Sequence, residues 1–190
     1  MFNANFLRLP LLFGFLAGTV AFGYFYALYA ADALPLGSRR NLSIVLMWAG
    51  MALAVRKYVR VVRRPPEGRP VTVGEALSLC VLTLLVASVV EGLLVVGFIR
   101  YVDPDLVPRF IQQIKQLALL DQARVKEQFG TNRDGQLVDF NEFLRQIEGI
   151  NLRSIFWANF SLVRLGLSLL YSALIAVFFR RMSQLFPANS

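Results

Sequence analysis

The chain has 190 residues, 56% of them hydrophobic, with a mean hydropathy of +0.55 and a formal net charge of +8. A soluble domain of this length runs at roughly 45–50% apolar residues, so the excess predicts a surface that faces lipid and excludes an ordinary soluble core. There is no histidine and a single cysteine, Cys80, inside an apolar run. The first absence removes the commonest general base and zinc ligand, and the second leaves no internal disulfide.

The first predicted element is an apolar run from Leu9 to Ala31. It is too long for a signal-peptide core of about 7–15 residues, so it is read as a retained membrane span. Gly14 and Gly18 give it a G-x-x-x-G pair, which serves either packing within the bundle or a dimer face.

A second span is predicted near 41–58. Arg56, Lys57, Arg60, Arg63 and Arg64 follow as a basic, amphipathic extension at the headgroup layer, suited to lipid anchoring or an acidic partner. This charge is therefore assigned to a membrane surface, and nucleic acid is not an expected partner. A third span is predicted over 76–99 and a fourth over 155–179. Continuous apolar runs near 20 residues indicate helices, because barrel strands alternate at period two.

Between the third and fourth spans lies a connection of 100–153 with eight basic and eight acidic residues. Asp103-Pro104-Asp105 fits a capped helix start. Val107, Phe110, Ile111, Ile114, Leu117 and Ala118 recur at helical spacing, which predicts an amphipathic helix from Pro104 to Phe129, closed by Gly130. A second stripe runs through Phe140, Phe143, Leu144, Ile147 and Ile150. The fold expected is thus all-α: a single four-transmembrane-helix bundle with an amphipathic extracytoplasmic insertion. Basic residues cluster after the second span, at Arg8 and at Arg180 and Arg181, against Arg39 and Arg40 in the first connection. That bias predicts cytoplasmic N and C termini.

Val55-Arg56-Lys57-Tyr58-Val59-Arg60, Val71-Thr72-Val73-Gly74-Glu75-Ala76-Leu77 and Tyr101-Val102-Asp103-Pro104-Asp105 together resemble the bacterial membrane-protein family catalogued as domain of unknown function 4199. The outer spans match it by hydropathy. The resemblance implies a small four-helix inner-membrane protein and carries over no catalytic or binding residue.

Two places hold candidate chemistry. Glu91 and Arg164 each interrupt an apolar run, where an ionised side chain costs about 2.5–3.5 kcal/mol on insertion scales. Counted from Arg100 and Arg153 at 1.5 Å per residue, both lie roughly 13–17 Å below the outer boundary. An intramembrane ion pair follows, serving as a register lock, a proton or substrate relay, or a dock for another subunit's charge. Small residues at Ser88, Gly92, Ser168, Ser172 and Ala176 allow close helix approach beside the two. The segment Asn132, Asp134, Gln136, Asp139, Glu142 resembles a calcium EF-hand loop. Aligning Gly135 with the loop glycine, however, puts Gly130 at the first ligand and leaves Glu142 one residue late. A turn at Gly135 with an Asp139–Glu142 capping box is the competing account. No metal, cofactor or enzymatic activity is expected. The role expected is a non-catalytic subunit or assembly protein, associating with itself or another membrane protein; a small oligomeric ion or proton pathway is the alternative.

Overall fold

The computed structural model describes residues 4–62, 71–120 and 140–185, which are helical or in turns, with no strand among them. The helices are α1 (Ala4–Ala30), α2 (Ser43–Val62), α3 (Val73–Tyr101), α4 (Leu106–Leu120), α5 (Phe140–Glu148), α6 (Leu152–Trp157) and α7 (Leu162–Leu185). Short 3-10 segments precede α2 (Ser38–Leu42) and α7 (Ala158–Phe160). Four stretches are long and apolar enough to cross a membrane: Phe6–Ala30, Arg39–Val61, Val73–Tyr101 and Leu152–Arg181.

The chain forms two compact units, one of 1–95 with 157–190 and one of 96–156. In the first, α1, α2, α3 and α7 share a core. Phe6, Leu9, Ala17 and Ala21 meet Met47, Met51, Val55 and Tyr58, with Leu79, Cys80, Leu84 and Ala87 from α3 and Ile175 and Ala176 from α7. The Phe6 and Tyr58 rings meet edge to face at 5.8 Å. Trp48 stacks on Tyr171 at 4.6 Å and donates its indole N–H to Ser168 Oγ at 3.1 Å, which ties α2 to α7.

Gly14 and Gly18 lie against α3. A Cβ on Gly14 would stand 2.7 Å from Val86 Cβ, and one on Gly18 would stand 2.6 Å from the Ala87 carbonyl oxygen. The G-x-x-x-G pair therefore serves helix approach inside the bundle.

The ends of the elements follow local chemistry. Asp32, with φ 50°, takes the left-handed position that closes α1. The amide of Ala33 reaches back to Leu28 O at 2.9 Å and that of Asp32 to Tyr29 O at 3.1 Å. At the start of α3 the Thr72 amide donates to Glu75 Oε2 at 2.9 Å while the Glu75 amide donates to Thr72 Oγ1 at 3.2 Å, a reciprocal capping box.

Three sequence-based boundaries are corrected. The second span runs from Arg39, in the 3-10 segment, to Val61, so Arg40 belongs to it. The helix expected from Pro104 begins at Leu106: Asp103, Pro104 and Asp105 form a turn in which the Leu106 amide bonds Asp103 O, and the Asp103 carboxylate pairs with Arg109. The fourth span, expected unbroken, is interrupted at 158–161, where Ser161 has ψ 144° and cannot continue a helix. The expected end of the Pro104–Phe129 helix lies outside the described residues.

In the second unit α4 and α5 pack together. Val107 and Ala118 are buried there, Phe110, Ile111 and Ile114 half-buried, and Gln112, Gln113 and Leu117 exposed. Lys115 donates to the Glu148 carboxylate, and this hydrogen bond holds that carboxyl below the usual range.

Two outcomes are expected. Gly18→Val should destabilise the protein by about 1–3 kcal/mol, as overpacking does. Gly23→Val, where an added Cβ meets nothing within 4 Å, should be close to neutral in the same melts in detergent. Because Glu148 is shifted down on folding, its stabilising share is present above the ordinary carboxylate pKa and is lost as pH falls through its lower value. Amide protection in α4 and α5, corrected for intrinsic exchange, should therefore fall as the pH drops below the ordinary carboxylate range. Glu148→Gln should remove that dependence.

Candidate functional site: a buried cluster of two arginines and one glutamate

The first unit buries three ionised side chains together. Glu91, at 0% exposure, lies on the core-facing side of α3. Arg40 comes from the 3-10 segment before α2, Ser43 from the first residue of α2, and Met47 from one turn further on. Asn159 comes from the break before α7, and Arg164 is the third residue of α7.

The structure brings Glu91 and Arg164 together, with Arg164 Nη2 2.9 Å from Glu91 Oε2. It also brings Arg40, whose Nε stands 3.4 Å from Glu91 Oε1. Ser43 Oγ donates to Glu91 Oε1 at 3.1 Å and accepts from Arg164 Nη2 at 2.8 Å. Asn159 Oδ1 accepts from both guanidiniums, from Arg40 Nη2 at 2.8 Å and Arg164 Nη1 at 2.7 Å. The sulfur of Met47 accepts from Arg164 Nη2 at 3.7 Å and from Ser88 Oγ at 3.9 Å. Arg40 also faces the Phe25 ring at 6.0 Å, at the outer limit of a cation–π contact.

The sequence reading missed Arg40, Ser43, Met47 and Asn159. Arg40 sits immediately before the charge-free run that begins at Asn41 and reads as part of the first connection; in the structure it is buried and faces Glu91. Asn159 is neutral, so hydropathy passes over it. In the structure it lies in the 158–160 break, where its amide oxygen meets two neighbouring cations.

The small residues near the pair have partners of their own. Ser172 Oγ donates to Ser168 O at 2.7 Å and to Met51 Sδ at 3.6 Å.

Electrostatically the cluster does not balance. Two guanidiniums face one carboxylate, and among the described residues Glu91 is the one acid within 4.0 Å of either. The positive ends of α2 and α7 point into the same region, and neither helix has an acid in its first turn. Two donors, Asn159 Nδ2 and Arg164 Nε, are buried without a hydrogen-bond partner.

The other candidates are placed as follows. Arg56, Lys57 and Arg60 are exposed on the last turns of α2, while Arg63 and Arg64 lie outside the described residues. Of the calcium-loop residues, Asn132, Asp134, Gln136 and Asp139 also lie outside them, and Glu142 is exposed on α5.

Residues 12–181 match the family model described as a protein of unknown function, DUF4199. The chain belongs to the DUF4199 family. The match takes in the outer spans as well as the middle of the chain. No curated protein and no solved structure matches it.

Removing Glu91 leaves two buried cations facing each other, whereas removing Arg164 leaves a one-to-one pair. Glu91→Leu should therefore be the more damaging change, costing on the order of 3–5 kcal/mol, and Arg164→Leu less. The double variant Glu91→Leu/Arg164→Leu should remain unstable because Arg40 is stranded. Adding Arg40→Leu should recover stability, as read by thermal melts of the four variants in one detergent.

Proposed function

We propose that this DUF4199 protein is a four-span integral protein of the bacterial cytoplasmic membrane, with both termini cytoplasmic, and that it acts as a non-catalytic component of a membrane assembly. The observation that carries the membrane reading is the inversion of polarity between surface and interior. Leu7, Leu11, Phe15 and Val20 of α1 and Leu167, Leu170, Leu174 and Phe178 of α7 are exposed, while Glu91 and Arg164 are buried. Water would penalise that arrangement, and hydrocarbon favours it.

The orientation rests on charge. Arg8, the Arg56-Lys57-Arg60 end of α2 and Arg180-Arg181 fall at the helix ends that an alternating four-span path assigns to one face. Arg40, the main count against it, is held by Glu91 and so weighs little as a loop charge. In this topology the 100–153 insertion is extracytoplasmic, and its apolar stripe offers a surface to the headgroup layer or a partner.

The subunit role is favoured over an ion pathway by the way Glu91 is held. A carboxylate bonded by Arg40, Arg164 and Ser43 is a fastener, and a carrier carboxylate needs an open partner side.

In a Cys80→Ala background, Arg56→Cys should react with an impermeant maleimide only after the cytoplasmic face is opened, and Leu117→Cys should react from outside. Release of the protein from membranes by alkaline carbonate would end the membrane reading. Purification of the tagged chain in mild detergent should yield a stoichiometric membrane partner; a homo-oligomer alone would turn the argument to the pathway and to Glu91.

A further inference from the structure

Helix register brings the exposed cations of the first unit to one level. Ser43 meets Arg164 and Met51 meets Ser172, both pairs 121 positions apart, so α2 and α7 run in the same direction with a constant offset. That offset sets Lys57 level with Phe178 and Arg60 level with Arg181. Against α2, α1 runs the opposite way, since Gly50 packs on Ala17 and Tyr58 on Phe6. Arg8 is therefore level with the turn from Arg56 to Val59.

The outward face of α2 changes character earlier than that of its neighbour. Val45, Ala49 and Leu53 are exposed, and Arg56, Lys57 and Arg60 continue the same stripe. From Val45 to Leu53 the apolar part covers about 12 Å at 1.5 Å per residue, against about 24 Å on α7 from Leu162 to Phe178. Lys57 thus lies where α7 still presents a phenylalanine that is 58% exposed. None of Arg8, Arg56, Lys57 and Arg60 forms an ion pair with a described residue. At this end of the bundle α3 contributes Glu75, which is engaged in the capping box with Thr72.

We propose that the outward face of α2 at Arg56, Lys57 and Arg60, with Arg8 at the same level on α1, binds the two-phosphate headgroup of cardiolipin in the cytoplasmic leaflet. Cations set among exposed apolar side chains must reach out to the headgroup layer or draw a counter-charge in, and a phosphodiester supplies that charge to the guanidinium forks. One phosphodiester would leave three of the four cations unmatched, and the second phosphate of cardiolipin reduces that excess. Leu53 and Phe178, next to the cations along the helices, suit its acyl chains; an acidic protein or a free anion would leave them uncovered. The inference rests on the membrane reading and orientation above, and its test separates the two.

The full-length protein in a neutral detergent is titrated with cardiolipin, phosphatidylglycerol, phosphatidylcholine and inorganic phosphate, following Tm and the lipid retained in native mass spectra. Cardiolipin should stay bound and raise Tm by a few degrees, ahead of phosphatidylglycerol at matched phosphate, with phosphatidylcholine and inorganic phosphate without effect. Arg56→Gln/Arg60→Gln should weaken cardiolipin retention about tenfold with helix content unchanged. Arg145→Gln/Arg153→Gln, which removes equal charge from exposed positions of the second unit, should leave retention as it is. Equal retention of phosphatidylglycerol and cardiolipin at matched phosphate, or equal loss in the two double variants, would overturn the proposal. So would an acidic protein held through Arg56 and Arg60 with no lipid preference. Protein that resists carbonate extraction yet shows no preference for cardiolipin would overturn the site and leave the membrane reading standing.

Discussion

The interaction on which the rest of the structure depends is the sharing of one buried carboxylate by two guanidiniums. Glu91 meets Arg164 at 2.9 Å and Arg40 at 3.4 Å. Those three side chains come from different places in the chain: before α2, the middle of α3 and the start of α7. A charge removed from water must find its partner or the fold is lost, so the cluster fixes the relative position of all three elements. Ser43 and Asn159 add hydrogen bonds that admit only one arrangement of the forks. Hydrophobic contact alone would not choose such a register, because in lipid one apolar helix face is much like another.

The features around the cluster serve this arrangement. Gly14 and Gly18 let α1 approach α3 closely at Val86, Ala87 and Val90. The Trp48–Ser168 hydrogen bond and the Trp48–Tyr171 stack hold α2 and α7 together beyond the charged layer. The break at 158–161 interrupts a stretch that hydropathy reads as uniform, and it places Asn159 where its Oδ1 accepts from both Arg40 and Arg164. A local rule is broken there, and the broken rule coincides with the polar site.

How much of this was legible in the sequence depended on contrast. Glu91 and Arg164 stand out because each lies in an otherwise apolar run. Arg40 offers no contrast, being next to Arg39 in a connection where basic residues are ordinary. Asn159 is invisible for the opposite reason, as a neutral residue in a run that tolerates it. Helix existence was readable from length and hydropathy, while the ends at Ser38, Leu106 and Ser161 were set by turn geometry that hydropathy does not report. The G-x-x-x-G pair was readable as a close approach but not as to which helix approaches, since that choice belongs to the tertiary fold. The Thr72–Glu75 capping box was present in the sequence as a T-x-x-E pattern and needed only to be looked for.

The central claim is that both guanidiniums are immobilised by Glu91 in the folded protein. Side-chain nitrogen NMR of arginine in lipid nanodiscs tests it most directly, because a guanidinium held by fixed acceptors shows separate, slowly exchanging Nη signals and a free one shows a single averaged signal. Arg40 and Arg164 are expected to give resolved Nη signals that collapse in Glu91→Gln, with exposed Arg56 averaged throughout. Averaged signals from Arg40 and Arg164 in the unaltered protein would contradict the account.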